Sequence, residues 1–155
     1  MIKAHETWFS VRWADMDANG HMKNTAYLDY CHDSRMLYFK ENGFPMEEFA
    51  RRRIGPVVAV DELSYFRELR LYEDITVRLL CAGLSKDRAW FIFINEFVAP
   101  DGKTAARVKS RICWFDLAAR KITPPPDALG DLVEKVARTG DFAIMENGRP
   151  KGGAA

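Results

Sequence analysis

Hydrophobic and polar positions along the chain change period once, near residue 55. The first apolar stretch, residues 7–13 (Thr7-Trp8-Phe9-Ser10-Val11-Arg12-Trp13), is rich in aromatic and β-branched residues and alternates imperfectly. That is the pattern of a strand with one covered face. A polar, glycine-containing loop follows, and then residues 25–42 run without Gly or Pro. This stretch predicts a helix about 27 Å long, with Asn24 as its N-cap and Gly43 just past its end. Tyr27, Cys31, Ser34 and Tyr38 form one stripe on it, and Leu28, Tyr30, Met36, Leu37 and Phe39 widen the apolar surface beyond a narrow face. A helix of that kind needs to be wrapped by other structure. Residues 45–52 predict a short second helix with Pro at its start.

Past Gly55 the spacing becomes that of strands, predicted over residues 57–65, 75–83, 89–99 and 103–115. Gly83 to Arg88 separates one pair and Pro100-Asp101-Gly102 the next. Connections this short make antiparallel hairpins. Pro124-Pro125-Pro126 ends the sheet region, Asp127 begins a last helix reaching about residue 138, and residues 147–155 read as a loose tail. Strand, long helix, then four antiparallel strands is an α+β order. The expected division is one domain over residues 1–140 and a tail over 141–155.

The chain of 155 residues suits a single core. A formal net charge of +1 gives no general attraction to nucleic acid or to an anionic membrane. No apolar run approaches the roughly 20 residues that cross a bilayer, and the start carries no signal-peptide pattern, so a cytoplasmic location is expected. Cys31, Cys81 and Cys113 are widely spaced among apolar neighbours and read as buried free thiols, not as a disulfide frame or zinc site.

Candidate chemistry concentrates between Val11 and Tyr27. Asp15, Asp17, Gly20 and His21 gather just before the long helix. Free N–H groups at a helix start carry about half a positive charge, which suits a developing oxyanion and keeps a nearby carboxylate ionised. Asp15, Asp17, Gly20, His21, Asn24 and Tyr27 together resemble the motif of the 4-hydroxybenzoyl-CoA thioesterase family: Asp-x-Asp-x-x-Gly-His, a short polar stretch, then Tyr and a central helix. The resemblance extends from about residue 7 to 129, through Tyr65-Phe66-Arg67-Glu68-Leu69-Arg70 and the prolines.

The resemblance implies a hot-dog fold, with the helix wrapped by a five-stranded, mainly antiparallel sheet. It also implies a homodimer or homotetramer with the active site where subunits meet, and hydrolysis of an acyl- or aroyl-CoA. Neither metal nor organic cofactor is expected, coenzyme A being part of the substrate. Asp17 is then the catalytic carboxylate, attacking the thioester carbon or activating water; a loop-capping aspartate is the plainer reading. Asp15 stabilises the loop or faces solvent as readily as it reacts. Gly20 supplies a positive φ or close approach. His21 orients the carboxylate or water, moves a proton, or makes a structural hydrogen bond. The amide that polarises the thioester falls near Asn24 and Thr25, and Tyr27 and Tyr30 line the acyl pocket or belong to the core. For the CoA phosphates the chosen cations are Lys86 and Arg88, ahead of Arg51-Arg52-Arg53 and Arg107, Lys109 and Arg111. Two alternatives are a hot-dog enoyl-CoA hydratase or dehydratase using Asp29, His32 and Asp33, and a noncatalytic acyl-CoA binding module.

Overall fold

A computed structural model describes residues 2–146 and 148–150. In chain order the elements are β1 (His5–Ser10), a 3₁₀ turn (Trp13–Asp15), α1 (Ala26–Glu41), α2 (Met46–Arg52), β2 (Ile54–Tyr65), β3 (Asp74–Ser85), β4 (Trp90–Val98), β5 (Thr104–Asp116), β6 (Lys121–Ile122), α3 (Asp127–Glu134), β7 (Arg138–Glu146) and β8 (Arg149–Pro150).

The strands form one sheet in the order β2-β5-β4-β3-β7-β8. β2 to β5 pair antiparallel, as the hairpin turns predicted. The far side of β3 is shared: its first half pairs antiparallel with β1, and its second half pairs parallel with β7. On the face away from α1 the register lines up Glu6, Arg78, Glu96 and Arg107 across four strands. Alternating charge along that row gives Arg78–Glu6 contact at 2.9 Å and Arg107–Glu96 contact at 3.8 Å, the cross-strand pairing that fixes register. A long helix lying on one curled antiparallel sheet is the hot-dog arrangement.

α1 buries Tyr27, Tyr30, Cys31, Ser34, Arg35, Tyr38 and Phe39 against that sheet. Its packing divides into two apolar lobes. One holds Tyr27, Tyr30 and Cys31 with Ile75, Val77, Phe97 and Val108. The other holds Tyr38 and Phe39 with Phe91, Phe93, Ile112, Trp114 and the buried side of α3. Buried polar residues Ser34, Arg35, Asn95 and Ser110 lie between the lobes in sequence on α1, β4 and β5.

Several expectations need correction. Thr25, not Asn24, occupies the N-cap of α1, and it caps with no side-chain hydrogen bond. Gly43 does take the left-handed conformation past the helix end, with φ +88°. The final helix stops at Glu134, and β7 follows where a continuing helix and then a tail were predicted. The boundary expected at residue 140 therefore falls inside a strand. Arg138 to Glu146 has little alternation to announce it, because β7 is half-covered and takes its place by pairing with β3. Of the expected tail, residues 147 and 151–155 lie outside the described residues. All three cysteines are buried free thiols. Burial pushes Cys31 up to about 12 and Cys81 to about 11, which leaves both as unreactive thiols.

Candidate active site

The loop between β1 and α1 is built around Asp15. Its carboxylate is almost wholly buried and accepts from the Arg12 backbone N–H at 2.9 Å, from Arg12 Nε at 3.2 Å and Nη2 at 2.9 Å, and from the Tyr30 hydroxyl. Burial alone would push this carboxyl up, but the hydrogen bonds from Arg12 and Tyr30 together outweigh it and hold the group below the ordinary aspartate value. Its carbonyl accepts from the Lys23 N–H at 2.7 Å, closing the loop. The loop-stabilising reading of Asp15 is the one the structure supports, and Tyr30, which is committed to it, is core.

Asp17 is placed differently. The side chain is exposed, and Oδ1 accepts from the backbone N–H of Asn19 at 2.8 Å and of His21 at 3.2 Å. A second pair of bonds, Asp17 N–H to the His21 carbonyl at 2.9 Å and Gly20 N–H to the Asp17 carbonyl at 3.2 Å, closes the turn. Gly20 makes this possible with φ +77°, and a Cβ there would meet nothing within 4 Å, so backbone conformation and not close approach explains the glycine. Among the described residues Oδ2 accepts no hydrogen bond. One oxygen is thus fixed and the other left available.

Asp17, His21, Met22, Asn24 and Tyr27 line a cleft of about 360 Å³ together with Tyr65, Phe66, Arg67 and Glu68. His21 Nε2 stands 2.9 Å from Glu68 Oε2, and Arg67 is held at 2.7 Å and 2.8 Å by the two oxygens of Asp101. Tyr65 donates to the Asn24 carbonyl at 3.3 Å. Tyr27 is buried at the cleft base, edge-on to Tyr65 at 5.3 Å and to Phe97 at 5.0 Å between ring centres. Burial, with the nearby Tyr65 and Asp17 charges, pushes its hydroxyl up to about 12, so it is a neutral donor. The N–H groups of Asn24 and Thr25, preceding the first turn of α1, donate to no protein acceptor among the described residues. They are the orphan donors of a helix start.

In sequence, Tyr65, Phe66, Arg67 and Glu68 read only as strand and turn. Their signal was a run of large aromatic and charged residues leaving a strand, and Phe66 is 59% exposed. Phe91 and Phe93 are buried in the lobe beneath the C-terminal half of α1, while Trp90 packs on the opposite sheet face and Trp13 is exposed.

Lys86 and Arg88 lie elsewhere. Their turn follows the last residue of β3, whereas the Asp17 loop touches the chain just before the first, through the Met22 N–H to Leu69 carbonyl bond of 2.8 Å. Twelve residues of strand separate the two ends, about 36 Å at full extension. Arg88 is also committed to α3, 2.5 Å from Asp127, 2.8 Å from Asp131 and 3.7 Å from Glu134. Within one chain these cations do not serve the cleft. Asp29, His32 and Asp33 are exposed on the outer side of α1 and form no common site with Asp17. Among the described residues no group of three or more His, Cys, Asp or Glu could hold a metal ion.

Residues 11–133 match the family model of the Thioesterase-like superfamily. The chain is 28% identical over 127 residues to the chloroplastic acyl-acyl carrier protein thioesterase ATL3 of Arabidopsis thaliana; the match takes in 81% of this chain but 65% of that protein, less than two thirds of its length. It is 25% identical over 122 residues to the 1,4-dihydroxy-2-naphthoyl-CoA hydrolase of Rippkaea orientalis, covering 77% of this chain and 88% of that one. A Staphylococcus aureus protein solved in complex with CoA superposes with a TM-score of 0.78 at 18% identity, over 86% of this chain and 84% of its own. The matched span runs from the start of the Asp17 loop through α3, and the chain belongs to the Thioesterase-like superfamily.

Proposed function

We propose that the protein hydrolyses acyl- or aroyl-CoA thioesters, with Asp17 as the catalytic carboxylate and the amides near Asn24 and Thr25 as the oxyanion site. The observation that carries this reading is the Asp17 side chain itself: Oδ1 is anchored by two backbone N–H groups at the rim of the cleft, while Oδ2 is unbonded. A carboxylate so held attacks the carbonyl carbon, giving a mixed anhydride that water opens, or takes a proton from the attacking water. In either course the C–S bond breaks, the thiolate of CoA leaves and is protonated, and Asp17 is restored. Negative charge growing on the carbonyl oxygen is met by the unpaired amides at the head of α1. His21, fixed by Glu68, forms a wall of the cleft and positions the carboxylate through its own N–H. The names of the relatives support the same reaction class, and the Asp15-x-Asp17 loop supports a place beside the 4-hydroxybenzoyl-CoA thioesterases within the superfamily.

The working unit proposed is a homodimer joined along β2. Among the described residues that strand pairs only with β5, and Val57 and Val60 are 42% and 46% exposed on it. Antiparallel pairing of two β2 strands about a two-fold axis sets the Arg51–Arg53 end of one copy beside the Tyr65 end of the other. Cations would then flank the cleft without any contribution from Lys86 or Arg88.

The test is thiol release from a panel of acyl-CoA and aroyl-CoA esters by the native protein and by Asp17→Asn. Release by the native protein that the substitution leaves undiminished would remove Asp17 from the mechanism. Absence of release from every ester would remove the reaction.

A further inference from the structure

The polar layer between the two core lobes contains a charge that, among the described residues, no carboxylate contacts directly. Arg35, in the middle of α1, is 5% exposed. Its Nε donates to Asn95 Oδ1 at 2.9 Å and its Nη2 to Ser110 Oγ at 2.6 Å. Both acceptors are neutral. The carboxylate of Asp61 stands one hydroxyl away, accepting from Ser110 Oγ at 2.5 Å. Among the described residues Nη1 makes no hydrogen bond. Asn95 Nδ2, on a residue with no exposed surface, is likewise buried without an acceptor. Two donor groups in one layer therefore have unfilled capacity, and one of them carries a full charge.

Beside this layer is an enclosed cavity of about 50 Å³ with Arg35, Phe39, Phe91 and Phe93 in its wall and His32 and Pro56, both exposed, at its mouth. It shares no lining residue with the Asp17 cleft, and Arg35 lies nine residues beyond the start of α1, about 14 Å along the helix. Every other wall group apart from His32 is apolar. A buried guanidinium is costly to leave without an anion, and its fork matches a carboxylate better than any neutral group. The room available exceeds what a single water needs and suits a group of a few heavy atoms.

We propose that this cavity binds the carboxylate end of a small apolar organic acid, with Arg35 as the binding cation, held in place through its Nε by Asn95 behind the wall. The apolar body lies along Phe39, Phe91 and Phe93 towards the mouth between His32 and Pro56. Two sources share this chemistry: a free acid, and an acyl-CoA whose acyl group ends in a carboxylate. Only the second rests on the thioesterase reading.

The deciding experiment is calorimetric titration of the full chain with hexanoate and benzoate against hexanamide and benzamide, repeated on Arg35→Met and on Asp17→Asn. The acids are expected to bind at least about tenfold tighter than the amides, since a hydrogen bond to a charged partner is worth more than a neutral one. Arg35→Met abolishes that advantage, whereas Asp17→Asn leaves it. Equal binding of acid and amide to the native protein, or binding of neither, overturns the proposal, as does an acid preference that survives Arg35→Met. Should Arg35→Met fail to fold, the Arg35 Nε–H resonance of the native protein must shift with benzoate and not with benzamide, and its failure to move is equally fatal. A second arm compares hydrolysis of adipoyl-CoA with hexanoyl-CoA. Preference for the first, lost in Arg35→Met, assigns the cavity to the acyl group; equal rates alongside acid binding assign it to a free acid. If no ester is hydrolysed, the catalytic reading falls while the titration still decides this site.

Discussion

Tyr30 donates its hydroxyl to the buried carboxylate of Asp15, tying the first face of α1 to the loop that precedes it. The same carboxylate takes three donors from Arg12, so an acceptor-only group is needed at position 15. Asp15→Asn puts an N–H₂ among those donors, and we expect a loss of about 1–3 kcal/mol at neutral pH in denaturant unfolding. Because the folded-state pKa lies below the ordinary value, the stabilisation is complete above the unfolded carboxyl's pKa, about 4. It is lost as pH falls through the folded value. The gap between native protein and variant should therefore close at low pH. A gap independent of pH would show that charge at Asp15 is not what the loop uses.

Gly20 holds the turn that delivers the His21 N–H to Asp17, and its φ of +77° is the only demand on it, since a Cβ would meet open space. Gly20→Ala should cost about 1–2 kcal/mol, the usual penalty for an alanine in the left-handed region. Gly20→Asn, which tolerates that region, should lose less. If the turn positions the carboxylate, kcat follows the same order, native above Asn above Ala, in a thiol-release assay. Stability falling in this order with kcat unchanged would separate the turn from catalysis.

Legibility in the sequence followed the strength of the local signal. The hairpins of β3, β4 and β5 were readable because turn residues punctuate long apolar runs, and α1 because eighteen residues lack Gly and Pro. β7 was not, since its place comes from parallel pairing with β3 and not from its own alternation. In the site, Asp17 and Gly20 could be named from the loop motif. Tyr65 to Glu68 are brought to the cleft only by the path of the chain from β2 to β3. The ion pairs of Arg88 were hidden for a related reason: a cation in a turn looks available in sequence, while its three carboxylate partners come from α3, about forty residues later. Arg35, on an otherwise apolar face, carried no sequence signal of its buried partners.

Arg88 lies across α3 so closely that a Cβ on Gly130 would stand 2.6 Å from the guanidinium carbon. Alanine inside a helix ordinarily gains about 1 kcal/mol over glycine, but here it must displace Arg88 from Asp127 and Asp131. Gly130→Ala should therefore give little or no gain in the native background. In an Arg88→Gln background, where the contact is relaxed and the ion pairs are already lost, the same change should stabilise. Unfolding midpoints of the four proteins test the sign of this coupling. Additive effects would mean that Arg88 does not hold α3 as the geometry indicates.

β2 offers twelve residues of edge, with Val57 and Val60 exposed on it. An edge of that length is a template for another strand, and self-pairing covers the β2 edge of both copies in one continuous sheet. The native protein should sediment as a dimer or a multiple of one. Val60→Arg puts two like charges near the two-fold axis, where each copy meets its own image, and should shift the protein towards monomer at micromolar concentration. If the cleft draws its cations from the neighbouring copy's Arg51–Arg53, dissociation raises KM for the CoA ester more than it lowers kcat. The decisive measurement is sedimentation velocity with thiol-release kinetics on the same samples. A native monomer, or a Val60→Arg monomer with unchanged KM, would rule out the shared cleft.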